Sequence, residues 1–358
     1  MTSYERMKAF LERKPIDRIP AADGFWGNTL ERWEAEGHIK KDEDMVTHFD
    51  YDLRGFGGLN MFIDPEFEPV VVEENEDTVL KLDGNGALLR WHKRNNTTPE
   101  HVDFTIKEPD VWEEKARPFL KAERGRIDFK GYREARQKSA EEQRFFFFGP
   151  GAVFDDMSRV CGHENVLMGM VTDPDWVSLM AETYADMMID MMEILFAEEG
   201  WPDAISYCDD LGYKDRPFMS PEMFRELIMP AAKRVCDYSH DHGRPVLMHS
   251  CGGVMRLVPS LIEMGVNVLN PLEAKAGMDI LELNRQYGDR LSFMGGIDNR
   301  VLCTNDRALI EEELLKKIPP VMANGAFIMH SDHSIPPQVD YETYKWTLQR
   351  AREIGTYR

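Results

Sequence analysis

Residues 244–253 read Arg-Pro-Val-Leu-Met-His-Ser-Cys-Gly-Gly, a buried-looking strand that delivers His249 and Cys251 together at its C-terminal end. Side chains two apart on a strand point the same way, so an imidazole and a thiol stand side by side, a soft pair suited to zinc. Only two of the usual three or four ligands are local, and a lone buried His or Cys also serves in packing or catalysis. The glycines that follow let a ligand or a partner backbone come close.

Working outward from this strand, the chain alternates strand and helix with short connections. A helix over Pro174–Glu199 leads to a strand at Asp203–Tyr207, and a helix over Pro221–His242, opened by Ser220 as N-cap, leads to Pro245–Met248. Helices near Val254–Met264, Asp279–Tyr287 and Asp306–Met322 precede strands at Val266–Leu269, Leu291–Met294 and Ala326–Met329, and Tyr341–Ile354 closes the pattern. Upstream, Arg144-Phe-Phe-Phe-Phe-Gly-Pro reads as a core strand, because four consecutive aromatics need both faces buried. Arg18-Ile-Pro-Ala-Ala-Asp follows a short amphipathic helix and enters a first strand. This alternation predicts parallel β/α units. About eight units fit, so the expected fold is a single (β/α)8 TIM barrel over residues 1–358, with a doubly wound sheet as the other arrangement. Residues 24–130 are less regular. Within them Val70–Glu73, Thr78–Asp83 and Ala87–Trp91 alternate apolar and polar, and Gly84-Asn-Gly86 signals a hairpin, so a β-hairpin or meander insertion is expected there.

The chain of 358 residues carries a formal net charge of -21. Nucleic acid and anionic membrane surfaces would repel it. No apolar run approaches a membrane span, and the first twenty residues lack the apolar segment of a secretory signal, which places the protein in the cytoplasm. Five cysteines, Cys161, Cys208, Cys236, Cys251 and Cys303, show no framework spacing and fit a reducing compartment. Cys161, Cys236 and Cys303 read as small buried hydrophobes. The many methionines, Met187, Met188, Met191 and Met192 among them, read as core packing.

If the fold is a barrel, functional residues collect at the C-terminal ends of strands. Asp209 and Asp210, His249 and Cys251, Asn270 and Glu273, Asp298, and His330 and His333 all fall at such ends. Asp209, Glu273 and Asp298 are the candidate catalytic acids. Adjacent carboxylates push their proton affinities apart, and Asp209 is expected to face the site, with Asp210 capping or solvated. Tyr207, Asp210, Asn270, Met294 and His330 lie at the same ends, and Trp26, Phe25 and Tyr213 offer aromatic surface for a pocket. His333 or His330 could supply a third ligand from the last strand, leaving a fourth position open as catalytic zinc requires.

These residues resemble the uroporphyrinogen decarboxylase-like barrels, and most closely their cobalamin-dependent methyltransferase branch. The resemblance covers most of the chain. Lys14-Pro-Ile-Asp-Arg-Ile-Pro, Asp209-Asp210-Leu-Gly with Met219-Ser-Pro-Glu, His249-Ser-Cys-Gly, Asn270-Pro-Leu-Glu, Met294-Gly-Gly-Ile-Asp and Ser331-Asp-His-Ser-Ile-Pro carry it. Decarboxylases of this type use an arginine-rich loop after the first strand. Here Ala21-Ala-Asp-Gly-Phe-Trp-Gly has no arginine to clamp a polyanionic porphyrinogen. The methyltransferase branch uses His-x-Cys and a later cysteine as zinc ligands. This chain keeps His249 and Cys251 and has His333 where that cysteine would fall.

The resemblance implies a zinc-dependent methyltransferase that moves a methyl group between a small methyl ether or methylamine donor and the cobalt of a corrinoid protein. Fewer thiolates leave zinc more electrophilic, which suits activation of the donor's oxygen or nitrogen. No Asp-x-His-x-x-Gly pattern is present, so cobalamin would arrive on a partner. A homodimer is compatible with the sequence. The rival readings are a decarboxylase or lyase acting on a small carboxylic acid and a non-enzymatic binding subunit.

Overall fold

In the computed structural model, which describes residues 1–93 and 98–357, the chain opens with a helix at Ser3–Leu11 closed at its start by a capping box between Thr2 and Glu5. Strand β1 (Leu53–Gly57) follows. An antiparallel meander comes next, with β2 (Val70–Glu74), β3 (Thr78–Leu82), β4 (Ala87–His92) and β5 (Glu100–Phe104) paired in that order. Then come β6 (Phe145–Gly149), β7 (Ala204–Cys208), a two-strand hairpin of β8 (Gly212–Tyr213) and β9 (Arg216–Pro217), β10 (Val246–His249), β11 (Val268–Asn270), β12 (Ser292–Met294) and β13 (Phe327–Ile328).

The main sheet is parallel, with seven strands in the order β1-β6-β7-β10-β11-β12-β13, and helices connect the successive strands from β6 onward. The segment at 20–22 bonds to both of its edges. The Ala22 N–H donates to Met329 O, the Met329 N–H to Pro20 O, and the Asp52 N–H to Ala21 O. The expected first strand is thus a bridge between edges, with Ala21 paired in parallel to Met329. Strand β1 departs from the expected layout, because it belongs to the main sheet yet lies inside the stretch read as insertion. Its sequence, Leu-Arg-Gly-Phe-Gly, has two glycines and an arginine among five residues, and only Leu53 is fully buried. β5 also went unread, since four of its five residues are exposed.

Burial drives most of the rest as expected, with Cys161 and Cys236 enclosed, whereas Cys303, read as buried, is only half-buried. Phe145, Phe146 and Phe148 are sealed in the core, as are Met187, Met188, Met191 and Met192 on the long helix Pro174–Glu199. The predicted helix over 221–242 contains a π-helical turn at Phe224–Ile228 just before Pro230. Pro230 donates no N–H and its ring crowds the carbonyl four residues back, so the coil widens there. The meander seats on the main body through β5: His101 stacks on His163, and Phe104 lies against Gly162. All five cysteines are free, and no helix among the described residues is long and apolar enough to cross a membrane.

A buried acid near the sheet gives a pH signature. Burial pushes the Asp156 carboxyl up to about 7, against 3.8 for the ordinary side chain. The folded state therefore keeps this proton over a range where the unfolded chain has lost it, and stability falls as pH rises through that window. Asp156→Asn lacks the loss. Urea midpoints at pH 5 and pH 8 are expected to drop more for the wild type than for the variant, by a few kcal/mol of stability. An equal drop would contradict the assignment.

Candidate functional site

Register places the site. His249 is aligned with Cys208 on β7 and with Asn270 on β11, so the three side chains form a row across the C-terminal ends of neighbouring strands. The Asn270 Nδ2 donates to Met294 O at 2.9 Å, which turns its Oδ1 toward His249. The His249 Nδ1–H donates to that oxygen at 2.7 Å. The imidazole is thereby fixed with its proton on Nδ1 and a lone pair on Nε2, which faces the Cys251 Sγ at 3.1 Å. A carboxamide that orients a ligand imidazole is a familiar outer support of metal sites. Were His249 to hold zinc, Asn270→Ala would weaken that binding about 10- to 100-fold in a competitive chelator titration, and an unchanged affinity would remove this role.

The loop carrying Cys251 is held by backbone contacts. Its N–H donates to Asp210 Oδ1 at 2.8 Å, and the Gly252 N–H donates to Glu273 Oε1 at 2.8 Å. The glycines foreseen as allowing close approach do so for the β8–β9 hairpin: a Cβ on Gly253 would come within 2.5 Å of the Asp215 backbone.

The Sγ of Cys251 belongs to two sets of potential metal donors, Asp210/His249/Cys251 and Cys251/Glu273/His333, and within each set the atoms lie within 4.8 Å of one another. Burial, then the Asp210 and Glu273 carboxylates, hold the thiol well above its ordinary range. A divalent cation held by these groups would reverse that balance and favour the thiolate. The donor set therefore fits zinc. His249 presents its lone pair directly. His333 does not, because the Ser334 N–H donates to its Nδ1 at 2.8 Å, leaving the proton on Nε2, 3.7 Å from the sulfur. Trp26 stacks on the His333 ring at 5.3 Å.

The paired acids divide otherwise than expected. Asp209 is fully buried and accepts from the Asp155 and Phe154 N–H groups and from the Tyr207 hydroxyl, so it caps the helix Val153–Cys161. Tyr207 is sealed behind the strand with it. Asp210, 41% exposed, is the acid that faces the site, 3.7 Å from His249 Nε2. Glu273 is buried and divided between the Gly252 N–H and Lys275. Asp298 caps its helix and is held by Arg300, whose bonds outweigh burial and keep its carboxyl low. Phe25 packs edge-on in the core against Trp33 and Tyr344, and Tyr213 stands exposed on the hairpin. His330 is buried beside Asp23, its Nδ1 2.5 Å from Ser331 O.

Two features escaped the sequence reading. The Asp23 carboxylate is enclosed at the end of the first segment, where the Ser331 hydroxyl, the Gly24 N–H and the Tyr344 hydroxyl all donate to it. Its place at a strand end was the available signal. The second is a cavity of about 580 Å³ walled by Met61, Arg126, Ile127, Gly149, Asp156 and Arg159 among others, which includes neither His249 nor Cys251. Its residues come from four separate segments, so no local motif announces it.

A parallel α/β sheet with its ionisable side chains gathered at the carboxyl ends of the strands defines the class of protein. Within that class, residues 118–354 match the family of uroporphyrinogen decarboxylase (URO-D), and the chain belongs to it. A methyltransferase from Methanosarcina mazei shares the fold, with a TM-score of 0.63 at 14% identity over 99% of this chain and 98% of that one. A hyperthermophilic beta-glucosidase mutant superposes more loosely, with a TM-score of 0.43 and 13% identity over 94% of this chain and 99% of that one. No curated protein sequence matches the chain.

Proposed function

We propose that the protein transfers a methyl group between a small donor of the methyl ether or methylamine type and the cobalt of a corrinoid carried by a separate protein. We read the sheet, with residues 20–22 joining its edges, as a closed (β/α)8 barrel with this chemistry at its mouth. The observation that carries the reading is the His249–Cys251 pair, an imidazole fixed as a lone-pair donor 3.1 Å from a thiol among acids. Zinc held by His249 and Cys251 would supply a Lewis acid for the donor's oxygen or nitrogen. His333 would complete the ligand set by giving up the Ser334 N–H bond at Nδ1 and taking its proton there, and the methyltransferase that shares the fold supports the choice of reaction.

The chain's own groups have separable tasks. Asp210 is the acid open enough to hold a proton at the leaving heteroatom. Glu273 fixes the Gly252 turn and so the thiol, while Asp209 and Asp298 anchor the helices that frame the rim. Trp26, against the His333 ring, shields that side from water.

Loss of carbon dioxide from a small carboxylic acid is the second reading, favoured by the two arginines of the neighbouring cavity. One anaerobic assay separates them: purified protein, cob(I)alamin and a panel of methyl ethers and methylamines, with small carboxylic acids in parallel. Methylcobalamin formation that a chelator abolishes is the expected result. Carbon dioxide release indifferent to chelator, with no methyl transfer, would replace the reading.

A further inference from the structure

We propose that the cavity at the carboxyl ends of β1 and β6 binds a small organic monoanion with an apolar body, an aryl or alicyclic carboxylate, whose charged end is met by Arg126 and Arg159. The inference stands apart from methyl transfer and needs no metal.

The cavity's size suits a small molecule, since ligand pockets run from about 300 to 1,000 Å³. Leu59, Met61 and Ile127 give it apolar walls, and glycines keep it open. A Cβ on Gly125 would meet nothing within 4 Å.

Charge decides the ligand class. Arg126 is 4% exposed, and its guanidinium donates only to backbone carbonyls, those of Asn60, Phe62, Ile63 and Phe119. No carboxylate pairs with it among the described residues, and its Nε–H has no acceptor at all. All its hydrogen-bond partners are neutral carbonyls, and the Glu123 and Asp64 carboxylates act on it only from beyond ion-pair distance, so burial still weighs most on this cation and a closer counter-charge would relieve it. Arg159 stands at the cavity's edge with its side chain 61% exposed, reaching Asp155 and Asp156 only at 3.4 Å. Asp156, pushed up by burial, retains a proton into the neutral range and competes weakly for that guanidinium. Asp128, the other acid in the wall, caps the helix Phe129–Glu141 by accepting from the Gly131 N–H and forms no ion pair with either arginine. Two guanidiniums and an apolar wall match one carboxylate on a compact hydrophobic body, and they offer too few cations for a polyanion. The helix bearing Arg159 also gives Asp209 its N–H donors, so the cavity shares a wall with the rim.

Isothermal titration tests this with the protein as purified. The ligands are benzoate and cyclohexanecarboxylate, with benzamide and cyclohexanecarboxamide as neutral isosteres. Saturable binding of at least one carboxylate at one per chain is expected, weakened about tenfold or more for its amide and in Arg159→Gln, an exposed change that leaves the core intact. Chelator treatment should leave this binding unchanged. The proposal is overturned if neither carboxylate binds, if acid and amide bind alike, if Arg159→Gln binds the acids as the wild type does, or if chelation abolishes binding and so places the anion on a metal. Failure of methyl transfer would alter none of these readouts.

Discussion

Cys251→Ser is expected to leave the chain without zinc and to lower methyl transfer by about 100-fold or more, beyond the loss that follows removal of an outer support. The reason is positional. Its Sγ is the one atom common to both donor sets, so no three-ligand arrangement around it survives the change. His249→Ala should do less harm to metal content, because Cys251, Glu273 and His333 remain together. Elemental analysis of protein purified without added metal checks both variants, and circular dichroism confirms folding, since Cys251 lies on a half-buried loop whose backbone bonds do not involve the sulfur. Near-stoichiometric zinc in the serine variant would sink the metal assignment and leave the decarboxylase reading in its place.

The largest effect on stability is expected at Asp52. Its carboxylate is completely buried and accepts from Arg6 at 2.7 Å, from Arg18 at 2.8 Å and from the Ala21 N–H at 2.8 Å. One side chain thus ties the first helix, the 20–22 segment and β1 together. Asp52→Ala leaves that N–H without its acceptor and strips Arg18 of its acid partner, while Arg6 keeps Asp17 and the Met1 carbonyl. Breaking a buried pair from one side costs about 3–5 kcal/mol. An exposed pair such as Arg124 with Glu198 is screened by water, contributes little to stability and serves as the control. Urea unfolding of Asp52→Ala, Arg124→Ala and wild type measures both. A loss under about 1 kcal/mol at Asp52 would contradict its role.

The strands around the site were legible because each is a short apolar run ending in ionisable residues, and their register then follows from the parallel order. His249, Cys251 and Asn270 could be picked out on that ground alone. What the sequence hid was direction. Asp209 and Asp210 are neighbours of identical chemistry, and only the helix end at Phe154 and Asp155 decides that the first is enclosed while the second faces His249. Tyr207 follows Asp209 behind the strand for the same reason. The state of His333 depends on a single bond from Ser334, which no spacing rule foretells. β1 was obscured by its glycines, and the cavity by its dispersed walls.

The bridging segment also governs the order in which the chain can assemble. Ala21 and Met329 are separated by some three hundred positions, yet they form the contact that joins the sheet's two sides. As the polypeptide leaves the ribosome, residues 20–22 can dock beside β1 through Asp52 and each later strand can add to its predecessor, whereas the partner at Met329 emerges only with nearly the whole chain. Until then the outer side of the 20–22 segment and the growing end of the sheet offer unpaired backbone to any other nascent chain. So distant a closure belongs to the slow events of folding, and the interval before it is when chaperone protection matters most.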